Sequence, residues 1–245
     1  MDYQQETLAL CMPVYDKVHH KAWEAHMRLA IHLGSIFPPS HLSVLCSHKL
    51  PQPHAQNYLM NSVLTNRLDY GVTGSLLGPE SGKARADWIL WVEDDTTPPE
   101  NTFELLRQHA DPKDRPVIHG ISYDRMPPHG PSIWRVNPAD KGKIEPIWDW
   151  KDNTLYRIAH SGTCVVLMHV STLERMQRPW FRMQPFEPGC QGMIPCLSFS
   201  RRMHEANIPI YAYTGCEAGH IGESVEIRRE ISRAMGQRLC KTPSM

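Results

Sequence analysis

The chain has 245 residues, enough for one substantial α/β domain with a sizeable core. Its 26 basic and 26 acidic residues cancel, so no net field recruits nucleic acid or an anionic membrane, and any anionic ligand must be held locally. Seven cysteines, odd in number and never spaced as CxxC, argue against a disulfide framework or a zinc ribbon.

The opening MDYQQETLALCMPVYD lacks a basic leader. Its apolar run, like every later one, is too short for a signal-peptide core or a membrane span, so a cytoplasmic protein is expected. Leu8–Val14 reads as a strand that stops at Pro13-Val14-Tyr15-Asp16. A helix follows in which Trp23, Met27, Ala30 and Ile31 share one face until Gly34. Residues 41–47 alternate as a second strand, and a second helix runs from the proline-broken loop PQPHAQN to about Arg67. The segment GVTGSLLGPESG is read as a loop. Trp88–Val92 is apolar at every residue, which predicts a central parallel strand covered on both faces. In Thr97-Pro98-Pro99-Glu100 the threonine, first proline and glutamate have the spacing of a capping box, predicting a helix that carries Phe103, Leu106 and Ala110.

Beyond the strand VIHGISY, residues 125–155 are rich in Pro and Trp and show little periodicity. They suit a substrate-covering segment or a small antiparallel insert, with Trp134, Trp148 and Trp150 either stacking on a ligand or packing beneath the loop. TCVVLM reads as a strand, VSTLERM and LSFSRRMHEAN as helices, IPIYAY as a strand, and residues 226–245 as a basic helical tail on a domain of 1–225. Alternating strands and helices imply a sandwich around a largely parallel sheet, whose ligands gather outside the carboxyl ends of the strands.

Glu93, Asp94 and Asp95 stand at one such end. Adjacent carboxylates repel, and a divalent cation removes the repulsion, so Glu93 and Asp95 suit a bracket for Mg²⁺ or Mn²⁺ and a diphosphate. Acids at a helix start also suit the helix dipole, and the residues alone leave both readings open. His220 lies in AGHIGE between glycines that let backbone approach a ligand, and imidazole suits Mn²⁺ better than Mg²⁺.

In chain order, CMPVYD, HAQNYLMNSVL, DWILWVEDDTTPP, SGTCVVLMHVSTLERM and LSFSRRMHEANIPIYAYTGCEAGHIGE together resemble the GT-A glycosyltransferases, in particular family 2-like enzymes. The resemblance implies a GT-A-type three-layer α/β/α sandwich with a mostly parallel central sheet. It also implies a nucleotide-diphosphate sugar as donor, and Mn²⁺ or Mg²⁺ held by Glu93 and Asp95 at the DxD position with His220 as a further ligand. Pro13, Tyr15 and Asp16 match the base and ribose site, Asn57 and Asp94 flank the donor, and Ser161, Gly162 and Thr163 match a sugar or acceptor pocket. The acceptor it implies is a carbohydrate, a lipid-linked group or a protein.

The chain departs from the family in three places. Glu93 replaces the first Asp, Gln56 stands where Arg is usual, and Pro195 and Cys196 occupy the positions of the acidic pair that supplies the general base. Glu187 or Asp124 is then the candidate base in an inverting reaction, with Asp95 central to catalysis. The alternatives are a retaining enzyme that needs no such base and a donor-binding protein without turnover. A nucleotidyltransferase would need a glycine- and lysine-rich phosphate loop that CMPVYDKVHHK lacks, and a zinc hydrolase would need HExxH or paired Cys/His spacing.

Overall fold

The computed structural model describes residues 3, 5–65, 72–75, 86–140, 143–183, 194–222 and 225–241. The chain starts with strand β1 (Leu8–Pro13), helix α1 (His20–Ile36), strand β2 (Leu42–Ser47), helix α2 (His54–Thr65) and strand β3 (Val72–Ser75). Strand β4 (Trp88–Val92) leads through the acids to β5 (Thr96–Thr97), helix α3 (Thr102–Arg107) and strand β6 (Val117–Ile121). Short strands β7 (Ile133–Val136), β8 (Ile144–Pro146), β9 (Leu155–Arg157) and β10 (His160–Ser161) follow, then β11 (Val165–His169), helix α4 (Ser171–Glu174) and helix α5 (Pro195–Glu205). Strands β12 (Ile210–Glu217), β13 (Gly219–Ile221) and β14 (Glu226–Ile227) precede helix α6 (Arg229–Lys241).

Among the described residues the main sheet has eight strands, ordered β3-β2-β1-β4-β11-β6-β12-β9. β1, β2, β4, β6 and β12 share a direction, whereas β3, β11 and β9 run against them. The sheet is therefore mixed, which corrects the expectation of a largely parallel one. An all-apolar run such as Val165–Met168 reports burial on both faces, and burial is blind to strand direction.

Successive β4 side chains face opposite layers. Trp88, Leu90 and Val92 pack with Leu29 and Leu33 of α1 and Phe103 and Leu106 of α3. Ile89 and Trp91 pack with Leu59 and Val63 of α2 and Phe199 and Met203 of α5. The result is three layers, helices on both faces of the sheet. All five β4 side chains are at most 1% exposed, and truncating one as large as Trp91 would cost roughly 3–5 kcal/mol.

Two expectations about helices fail for identifiable reasons. The buried face of α1 is Ala22, Ala25, His26, Leu29 and Leu33, while Trp23 and Ile31 are 54% and 69% exposed. Small side chains at 22 and 25 let the helix lie close to the sheet, a preference that the larger apolar stripe conceals. No capping box forms at Thr97 either: that residue belongs to β5, its hydroxyl donates to Glu226, and α3 starts after Asn101 without a side-chain cap. The segment read as a loop before β4 contributes β3 on the edge of the sheet.

Residues 125–155 do form a small antiparallel insert, in which β7 lies between β8 and β10. Trp150 is buried in the core. Trp148 packs so closely on α6 that a methyl at Gly236 would lie 2.8 Å from its ring. The segment from 226 is integrated with the rest: β14 pairs with β13, Ile227 is in the core, and Arg229 of α6 reaches Glu217 and Asp152 at 2.8 Å each. No helix among the described residues is long and apolar enough to cross a membrane.

Candidate functional site

β4 ends at Val92, and the three acids form a turn into β5, not into a helix. Thr96 holds the turn, its hydroxyl donating to the Glu93 carbonyl at 2.8 Å. His26 of α1 supports it from beneath, with its buried ring against the backbone of Thr96 and Glu93. β5 pairs with β13, which sets His220 opposite Thr96, and the Ile221 amide donates to the Asp95 carbonyl at 2.8 Å. Glycine is needed at 219 for this approach: a Cβ there would lie 2.3 Å from the Glu226 carboxylate and 2.5 Å from the Thr97 hydroxyl.

The tertiary structure thus brings Asp95 and His220 together, with Nε2 3.3 Å from Oδ2. The His220 Nδ1 is 2.6 Å from the Tyr123 carbonyl and 4.0 Å from the Cys164 sulfur. A ring nitrogen engaged with a backbone carbonyl orients the other one outward, as in many metal-binding histidines. Arg125 places its guanidinium 2.9 Å from the same Asp95 oxygen, while Asp95 Oδ1 is buried without a partner. Burial works against ionisation of Asp95, but the hydrogen bond and charge of His220 and the charge of Arg125 outweigh it and hold the carboxyl below its usual range. Burial likewise opposes the imidazolium of His220, yet Cys164 and Asp95 push it up to about 11.

Glu93 does not face the same way as Asp95. Its Oε1 accepts from the Thr163 hydroxyl at 2.5 Å and lies 3.5 Å from the amide nitrogen of Gln56, itself 1% exposed. Burial, then the charge of Asp95, raises the Glu93 carboxyl above its usual range, and the Thr163 hydrogen bond only partly offsets this. Among the described residues no group of three or more His, Cys, Asp or Glu side chains is arranged to hold a metal ion. The expected three-ligand set is therefore reduced here to Asp95 and His220. A donor-dependent ion needs no more, since Mg²⁺ or Mn²⁺ takes one or two protein ligands and completes its shell with phosphate and water.

Asp94 accepts from the Tyr15 amide at 2.9 Å, which joins the end of β1 to the turn. Burial raises its carboxyl, and the Tyr15 amide opposes the rise. Pro13 closes β1 and is buried, while Tyr15 and Asp16 are exposed beside the turn. Thr163 is in the group through Glu93. Ser161 is not: fully buried, it donates to the Ser132 carbonyl at 2.7 Å. Gly162 accepts from His119 at 3.1 Å through its carbonyl.

Asn57 also stays out of the group. Its side chain donates to the Phe181 carbonyl at 2.8 Å and accepts from the Phe181 amide at 3.0 Å, clamping α2 to the segment after α4. Asp124 stands at the solvent rim, its carboxyl raised by partial burial and lowered by His220 and His129. Glu187 lies outside the described residues. Cys196, in the first turn of α5, has its thiol pushed up to about 12 by burial and then by the charge of Glu93, so it is no base at neutral pH.

Sequence reasoning missed His26, Gln56 as a partner of Glu93, and Arg125. Only Arg125 left a signal: SYDRMPPHG follows the carboxyl end of a strand, where ligands gather.

No protein-family model matches the chain, and no curated protein matches it in sequence. Among solved structures, A197 from STIV is similar in fold, with a TM-score of 0.55 at 15% identity over 91% of each chain. At that identity the likeness concerns the fold alone. The chain is an α/β protein with a mixed central sheet, carrying a carboxylate–imidazole pair at the carboxyl end of a central strand.

Proposed function

We propose that the chain is a divalent-metal-dependent glycosyltransferase of the GT-A type, using a nucleotide-diphosphate sugar as donor. The observation that carries the reading is the meeting of Asp95 and His220 at the end of β4, beside the end of β1. The unpartnered Asp95 Oδ1 and the outward Nε2 of His220 suit a single Mn²⁺ or Mg²⁺. Such an ion would neutralise charge gathering on the departing nucleoside diphosphate. Taking it up requires neutral His220, so binding displaces a proton.

The residues at hand divide the remaining work. Asp94 and Tyr15 form a wall against which the nucleoside can rest. Asp124, exposed at the rim and close enough to feel His220, is the described carboxylate best suited to receive the acceptor's hydroxyl proton in an inverting reaction. Glu93 and Cys196 do not suit that task, because both are held in the protonated form by burial. Cys46, Cys164, Cys196 and Cys216 form no disulfide, which supports a reducing compartment such as the cytoplasm.

Transfer and hydrolysis assays with UDP-, GDP- and CMP-sugars, with Mn²⁺ and with chelator, test the reading. Metal-dependent turnover that disappears in Asp95→Ala is expected, and full turnover in that variant overturns it. A second reading, a donor-binding protein without turnover, draws on the absence of an acid at Pro195 and Cys196. Tight metal-dependent donor binding with no product from any acceptor would favour it.

A further inference from the structure

A groove of about 660 Å³ opens away from the acids, between the β7–β8 hairpin, the outer face of α5 and the link from β9 to β10. Its volume is that of a small-molecule site. Val136 and Ile144 are direct cross-strand partners on its rim, and they stay 47% and 44% exposed. Leu197 of α5 also lines it. The floor is dry and satisfied: Ile158 is 4% exposed, and buried His160 holds the Ser200 hydroxyl at 2.8 Å.

Three arginines line this groove, and two are already neutralised. Arg135 lies 2.9 Å from Glu145 and 3.3 Å from Asp149, and Arg201 lies 3.0 Å from Glu205. Arg157, exposed on edge strand β9, has no ion pair or side-chain hydrogen bond with any described residue. Together with His204 it also lines an adjoining hollow of about 360 Å³, so the two stand where both spaces meet. An unpaired guanidinium beside an exposed aliphatic rim complements a ligand with one anionic head and an apolar body.

We infer that this groove binds an anionic amphiphile, with a carboxylate or phosphate head on Arg157 and His204 and its apolar body over Val136, Ile144 and Leu197. The inference goes beyond the donor reading and does not rest on it. No residue of the groove belongs to the acid turn.

The test uses the full chain in chelator, so that the acid turn takes no part, with decanoate, decyl phosphate, decanol and inorganic phosphate kept below aggregation. Binding is followed by calorimetry and by tryptophan emission, since Trp134 packs on His160 with ring centroids 4.9 Å apart. Decanoate or decyl phosphate should bind at least about tenfold more tightly than decanol, with inorganic phosphate weaker still. The tighter of the two anions identifies the head group. Arg157→Gln, a change at an exposed position, should abolish the preference over decanol while leaving the melting temperature unchanged. Ile144→Asp should weaken both anions by about tenfold or more. Equal binding of decanol and the anions, inorganic phosphate binding as tightly as decyl phosphate, an unaltered preference in Arg157→Gln, or no binding of any probe overturns the inference.

Discussion

The carboxylate of Asp95 and the imidazole of His220 meet at 3.3 Å, and the guanidinium of Arg125 lies 2.9 Å from the same carboxylate oxygen. One buried anion thus receives two cations of the chain itself, at the position where the proposed function needs a metal ion. The first prediction follows directly. Asp95→Ala should lower Mn²⁺-supported binding of nucleoside diphosphates by about a hundredfold, on the order of 3 kcal/mol. Calorimetric titration of UDP and GDP with and without Mn²⁺ checks this, and unchanged metal dependence would sink the metal assignment.

Arg125 competes with any ion for Asp95. Its side chain is 58% exposed, so the contact is partly screened and worth less than about 1 kcal/mol. Arg125→Ala should therefore tighten Mn²⁺ binding in the absence of nucleotide by about two- to fivefold. A low-salt titration with Mn²⁺ alone reads the change. Equal or weaker binding in the variant would show that the guanidinium does not oppose the ion.

Glu93 faces Thr163 and Gln56, and burial disfavours its charge. Glu93→Gln keeps an acceptor for the Thr163 hydroxyl while removing a carboxyl whose ionised form is costly in this setting. The variant should melt at or above the temperature of the parent at neutral pH, and should keep Mn²⁺ binding within about threefold. Loss of Mn²⁺ binding together with an unaltered fold would restore Glu93 as a ligand.

Buried histidines set the acid limit of stability. Burial lowers His26 and His119 to about 4 and His160 to about 3, from the usual 6.5. Each is neutral in the folded state and titrates at higher pH once unfolded, so protons bind the unfolded chain preferentially. Their contribution is complete above about pH 6.5 and is lost progressively between about 6.5 and 4, each on the order of 3 kcal/mol. The raised carboxyl of Glu93 acts in the opposite sense, because protonation relieves it. Melting temperatures across this range should fall on acidification, and His119→Asn should flatten the slope. A profile equally steep in the variant would contradict the role of His119.

Much of the frame was legible in the sequence because burial leaves a one-dimensional trace. The uninterrupted apolar run of Trp88–Val92 announced a strand covered on both faces, and the acids after it announced the end where ligands gather. The ordered motifs also put His220 with Asp95, a pairing that periodicity alone could not suggest. The same trace misled at α1, where the large side chains of Trp23 and Ile31 lie outside and the smaller Ala22 and Ala25 lie against the sheet.

Only the tertiary structure decided which way β11 runs, since a strand buried on both faces carries the same residues in either direction. It also decided which carboxylate of the triplet faces inward. That choice depends on a turn held by His26 and Thr96 and on Thr163 and Gln56, which reach Glu93 from separate parts of the chain. Local sequence sets how apolar a segment is. The direction of each side chain in a turn is set by partners that only folding brings within hydrogen-bond distance.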